Sequence, residues 1–257
     1  RQLECEQLYF PCDKLLSPND WASDLFKFNQ EQIGVYFEFQ EKVLSAFSSY
    51  QLPVIELKKE TSKEAVCLVF EKVNTGGVQL SVFELITASY AAEGYNLRDD
   101  WFGSDIRKVL SRKARFEEPE LLRDVQSTDL RQAITLLHTR ERKVQDLKNG
   151  KTGKQVRPVS AKRAAVLDLP LTSYQDWADD VEKGFIEASY FLLSECFYSR
   201  RELPYATQLV PLAAVMTLLG NRWREPRIYQ KLSRWYWSGV LGELYGGAVE
   251  TRIALDL

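Results

Sequence analysis

Apolar residues at helical spacing run through most of the chain beyond Gly94, and this pattern restricts the fold more than any other feature. It predicts helices over 105–116, 127–148, 177–198, 205–219 and 227–244. Each must bury its apolar stripe against a neighbour, so several in succession predict a helical bundle across 96–257. A chain of 257 residues that is 45% hydrophobic supplies one sizeable core or two smaller ones. Residues 149–159 read as a polar, basic, glycine-containing loop between helices. No internal repeat or low-complexity tract interrupts the pattern.

The first 95 residues read differently. Leu8-Tyr9-Phe10 suits a strand, and Pro18-Asn19-Asp20 opens a short helix around Trp21, Leu25 and Phe26. Between Gly34 and Tyr50, Val35, Phe39, Val43, Leu44 and Phe47 recur at helical spacing. Leu52-Pro53-Val54-Ile55-Glu56-Leu57 reads as a short buried strand entered through proline. Thr61-Ser62-Lys63-Glu64 is a capping box whose helix buries Val66, Val69, Phe70 and Val73. Asn74-Thr75-Gly76-Gly77 stops that helix, since these residues tolerate a left-handed backbone. Ser81-Val82-Phe83-Glu84 is a second capping box, opening a helix through Leu85, Ala88 and Tyr90 to about Glu93.

A formal net charge of −2 gives no global field for nucleic acid, which leaves local basic patches. Cys5, Cys12, Cys67 and Cys196 are scattered, with no C-x-x-C pair and one histidine, His138, so no metal site is predicted. Scattered thiols in a chain this long predict a reduced, cytoplasmic protein. No apolar run reaches the roughly 18 residues of a membrane span. The start at Arg1, without methionine or signal sequence, points to a fragment.

Several motifs invite chemical readings. Gly150-Lys151-Thr152 resembles the end of a P-loop, but Gln145 stands where the motif needs glycine, and no strand precedes it. It reads as a solvated basic loop, although the cations from Lys148 to Lys162 and Arg163 suit contact with phosphates. His138 reads as a half-buried structural residue, and Trp235-Tyr236-Trp237 as core. The turn of Asn74, Thr75, Gly76 and Gly77 is either an anion site, completed by the helix start at Ser81, or a plain linker. In the tail, Tyr245, Glu250 and Arg252 follow the same ambiguity. Arg252 can clamp a phosphate or carboxylate, or form a local ion pair at a helix end, which the physics favours.

The stretch from Leu52 to Leu57, with Val69-Phe70-Glu71-Lys72-Val73-Asn74-Thr75-Gly76-Gly77-Val78-Gln79-Leu80-Ser81-Val82-Phe83-Glu84-Leu85, resembles the GmrS-type domain. That domain occurs in modification-dependent (type IV) restriction proteins of the GmrSD kind and related phage-defence systems. Arg234-Trp235-Tyr236-Trp237, Tyr245-Gly246-Gly247 and Glu250-Thr251-Arg252 resemble its carboxy-terminal signature. The family's catalytic half is similar to ParB nucleotide-binding domains. The ParB pattern Glu-Asn-x-x-Arg-x-x-Leu-Ser-x-x-Glu falls on Val73, Asn74, Gly77, Leu80, Ser81 and Glu84. Valine and glycine thus stand where the pattern has its metal-side glutamate and phosphate-side arginine. The family's Asp-Gly-Gln-Gln-Arg motif and an H-N-H nuclease element are both absent from the chain.

The resemblance implies a mainly α fold: a helical bundle domain, 96–257, attached to the second half of a small ParB-like α+β lobe, 1–95. It implies a nucleoside triphosphate with Mg²⁺ near Asn74, and partners that include DNA and a nuclease domain or subunit. The catalytic residues are unassigned. In the competing reading, the chain is a degenerate family member that acts as a protein-interaction module. A sequence-specific DNA binder using the 62–93 helix pair is disfavoured, because its second helix carries too few basic residues.

Overall fold

The computed structural model describes residues 2–52, 54, 56–58, 60, 61, 65, 66, 68, 69, 72 and 82–257. The chain divides into two compact units, Arg1–Lys58 and Lys59–Leu257. The first holds α1 (Gln2–Glu6), α2 (Asn19–Phe28), α3 (Ile33–Phe39), a π-helical turn (Gln40–Leu44) and α4 (Ser45–Ser49). Trp21 and Leu25, one helical turn apart on α2, join Cys5, Tyr36 and Leu44 in a small core. Phe10 packs edge-on to Trp21, with ring centroids 5.2 Å apart. The helix expected between Gly34 and Tyr50 forms, but Tyr36 and Leu44 turn inward while Val35 and Phe47 are exposed.

Neither expected strand is found. Leu8 takes a left-handed φ of 56°, incompatible with extended pairing. Leu52 and Val54 are 76% and 84% exposed, not buried; Pro53 and Ile55 lie outside the described residues. Among the described residues, the β structure is limited to an isolated antiparallel bridge between Ser104 and Val109. The described residues are mainly helical, as expected, and none of them forms a strand to represent the α+β lobe.

In the second unit, Ala65, Val66, Leu68, Val69 and Lys72 are helical, as the first capping box predicts. There follow α5 (Val82–Ala91), α6 (Leu97–Phe102), α7 (Arg112–Glu117), α8 (Ser127–Lys148) and α9 (Arg163–Leu167). The last four are α10 (Leu171–Ser194), α11 (Leu209–Leu219), α12 (Pro226–Leu241) and α13 (Val249–Leu255). The expected helix over 105–116 shrinks to α7. Gly103 and Lys108 take positive φ around the Ser104–Val109 bridge, and Ser111 Oγ then caps the helix by accepting from Ala114 N–H at 3.0 Å. The segment read as 177–198 begins earlier, after Pro170, and ends before Cys196, whose φ is 68°.

The helices α8, α10 and α11 pack together to form the centre of this unit. A Cβ on Gly184 of α10 would lie 2.5 Å from the Ala213 carbonyl oxygen of α11 and would also strike the Thr217 side chain. The two backbones therefore meet where only hydrogen fits. Arg112 ties α7 to its surroundings, donating to Asp100 at 2.8 Å and Glu182 at 2.6 Å and pairing with Asp179 at 2.7 Å. Near the end of α8, the Asp146 side chain is 1% exposed. It accepts from Lys151 Nζ at 2.8 Å, and from the backbone N–H of Arg157 at 3.0 Å and its Nε at 2.7 Å. These bonds, with the positive charge of Arg157, hold the Asp146 carboxyl well below the usual range. They also fix the loop that follows α8 against its last turns.

Two outcomes are expected. Alanine gains about 0.5–1 kcal/mol of helix propensity over glycine, but the clash with a carbonyl oxygen outweighs that gain. Gly184→Ala should therefore destabilise by about 1–3 kcal/mol in urea melts. Because the folded-state pKa of Asp146 is depressed, its contribution is complete above the unfolded value of about 3.8 and is lost as the pH falls below it. Asp146→Asn should melt below wild type at neutral pH, and the gap should close as the pH drops below roughly 3.

Candidate functional site

Asn74, Thr75, Gly76, Gly77 and Ser81, the residues expected to meet a phosphate, lie outside the described residues. The helix that follows them is described. In α5, Phe83, Ile86 and Tyr90 face the core, and Glu84 pairs with Arg98 at 3.1 Å. Opposite its first turn stands Arg131, from the second turn of α8. The Arg131 guanidinium carbon lies 5.1 Å from the Phe83 ring centroid, and the residue is 1% exposed. Its Nε, Nη1 and Nη2 have no hydrogen-bond partner. Burial lowers its pKa to about 10. No motif marked Arg131; the available signal was a cation on a helix whose neighbours Leu130, Ala133, Ile134 and Leu137 are all apolar.

The surrounding polar groups are already committed. The Tyr90 hydroxyl donates to the Leu169 carbonyl at 3.0 Å, and the Tyr174 hydroxyl to Asp100 at 2.5 Å. Burial raises the pKa of both tyrosines. Asp100 in turn receives Arg112. Burial alone would lower the pKa of Arg112, but the bond and charge of Asp100 more than reverse this. A cleft of about 870 Å³ opens beside this cluster, lined by Thr87, Tyr95, Arg98, Asp100 and Arg107 among others.

A second region forms where the far end of α8 meets the basic loop. Two clefts of about 340 and 390 Å³ share Pro158, Ser160 and Lys162. His138, Arg142 and Arg157 line the first; Lys143 and Glu250 line the second. His138 is half-buried, its Nδ1 2.9 Å from Ser173 Oγ, as a structural histidine would be. Burial, then the charge of Arg142, lower its pKa. Lys151 and Arg157 are spent on Asp146. Arg142, Lys143 and Lys162 have no ion pair among the described residues, whereas Arg163 is engaged elsewhere.

Two of the three tail candidates converge, but on a carboxylate of the chain itself. Tyr245 and Arg252 meet at Asp256, whose side chain is 2% exposed. That carboxylate accepts from the Tyr245 hydroxyl, from Arg252 Nη2 at 2.6 Å and from Trp235 Nε1 at 3.1 Å. Arg252 thus clamps a carboxylate of its own chain, and Tyr236 is buried between two partly buried tryptophans. Glu250 is exposed and, of the tail candidates, alone shares a cleft with Lys162.

Residues 4–91 match the family described as GmrSD restriction endonuclease, N-terminal domain. This supports the GmrSD-like resemblance drawn from residues 52–57 and 69–85. An uncharacterized protein of Methanocaldococcus jannaschii is 22% identical over 260 residues, covering 98% of this chain and 39% of the relative. The chain therefore spans well under half the length of that relative. No solved structure matches.

Proposed function

We propose that this chain is part of a cytoplasmic restriction-type defence protein that couples binding of a nucleoside triphosphate to recognition or cleavage of foreign DNA. The match of residues 4–91 to the GmrSD amino-terminal domain carries this reading. Phosphate contact falls to the 74–77 turn and Ser81. Glycine amides, an asparagine amide and a serine hydroxyl are groups that suit phosphate oxygens, and in the sequence they come before α5, whose dipole is positive at that end. Bound nucleotide would supply the free energy for a conformational change. The nucleotide is proposed to carry Mg²⁺, and among the described residues no group of three or more His, Cys, Asp or Glu side chains could hold that ion.

The DNA contact is assigned to the twin clefts, where Arg142, Lys143 and Lys162 keep their charge for phosphates. A nuclease domain or subunit would complete the restriction activity.

Two measurements on the intact protein test this. Asn74→Ala should weaken binding of a fluorescent nucleoside triphosphate at least tenfold, and unchanged affinity would count against a phosphate role for the turn. Lys143→Glu with Lys162→Glu should lower affinity for duplex DNA and reduce the slope of log K against log salt by about 2. An unchanged slope would remove the clefts from the DNA path.

A further inference from the structure

We infer that Arg131 is the fixed cation of an anion site at the amino-terminal end of α5, contributed by the helical bundle and selective for a phosphate or carboxylate group. The inference rests on the phosphate reading above and adds a ligand-binding residue 50 positions away from Ser81.

The starting observation is an imbalance. Of the strongly buried charged residues described, Arg112 and Glu182 neutralise each other with the help of Asp100, Asp179 and Arg115. Asp146 is met by Lys151 and Arg157. Arg131 is buried more deeply than Arg112 and, among the described residues, has no acceptor for any of its three nitrogens. The Phe83 ring returns part of the lost hydration but accepts no N–H bond. Glu84, the carboxylate whose charge acts on it, is paired with Arg98, and the hydroxyls of Tyr90 and Tyr174 donate to other groups. A guanidinium out of water with no partner is a strongly unfavourable arrangement in a folded protein, and an oxyanion corrects it.

The position names the ligand. Arg131 meets the first turn of α5, a helix of 10 residues whose dipole places positive charge at that same end. Two positive sources therefore act on one point. The planar guanidinium fork matches two oxygens of a phosphate or carboxylate better than an ammonium would.

The test uses the intact protein and its Arg131→Met, Arg131→Lys and Asn74→Ala variants, with inorganic phosphate and a magnesium nucleoside triphosphate as separate probes. Calorimetry gives affinity, and thermal melts report folding. Arg131→Met should melt at or above the wild type without ligand, because it removes an uncompensated charge, yet bind phosphate at least tenfold more weakly. Arg131→Lys should keep intermediate affinity. If Arg131→Met binds the triphosphate as wild type does while Asn74→Ala does not, the inference falls and the nucleotide reading stands. If phosphate stabilises the wild type but not Arg131→Met, and no triphosphate binds, the inference stands and the nucleotide reading falls. If neither probe stabilises the wild type, both fall.

Discussion

The approach of α10 to α11 at Gly184 sets the geometry on which the rest of the helical unit depends. With backbone hydrogen bonds confined almost entirely within helices, nothing like a sheet register fixes how the elements sit. Side-chain packing must do it. The absence of a Cβ at Gly184 lets α10 sit against the Ala213 carbonyl, and α8 packs against both helices. Phe185 and Ala188 on α10, Leu212 and Ala213 on α11, and Ile134 and Leu137 on α8 are consequently all but excluded from water. A side chain as large as phenylalanine contributes about 1.5–3 kcal/mol when so buried, so a small separation of α10 from α11 would weaken many contacts at once.

That tight centre changes what a charge inside it means. Arg112 and Glu182 sit at its edge, where carboxylates from α6 and α10 reach them, and the cluster pins the short α7 against the bundle. Arg131 sits further in, on the face of α8 turned to Phe83 of α5, and among the described residues no carboxylate bonds to it. The contrast between two buried arginines, one hydrogen-bonded to acids and one bonded to none, separates a structural ion cluster from a position that calls for an external anion.

Much of the bundle was legible in the sequence because its signals are local. The bounds of α8 were read exactly, since Ser127 opens a long amphipathic run and Asn149-Gly150 closes it. The end of α11 at Leu219 was read for the same reason, with Gly220 behind it. Failures came where a tertiary contact overrides spacing. The Ser104–Val109 bridge removes half of a predicted helix, and the apolar Leu52 and Val54, which imitate a core strand, are exposed. The burial of the acids was not legible. Asp146 looks like an ordinary surface carboxylate until the loop of Arg157 folds back on it, and Asp256, beyond its local helix-end pairing with Arg252, until Trp235 and Tyr245 close over it. Arg131 was missed for a related reason: the helical period of α8 does not reveal that its first half, unlike its exposed end, is enclosed.

This enclosure gives α8 a role no motif suggested. One uninterrupted helix carries Arg131 near its start, and Arg142 and Lys143 near its end. Eleven residues at 1.5 Å each separate the two positions by about 16 Å. An anion that engages Arg131 acts on a body that also holds one wall of both clefts, and a helix packed on α10 and α11 moves as a unit rather than by bending. On the proposed reading, occupancy at α5 and phosphate contact at the clefts are joined by a single rigid element. Coupling then requires only that the two anions favour the same setting of α8, and by reciprocity DNA at the clefts would tighten the anion at Arg131 as much as the anion tightens DNA.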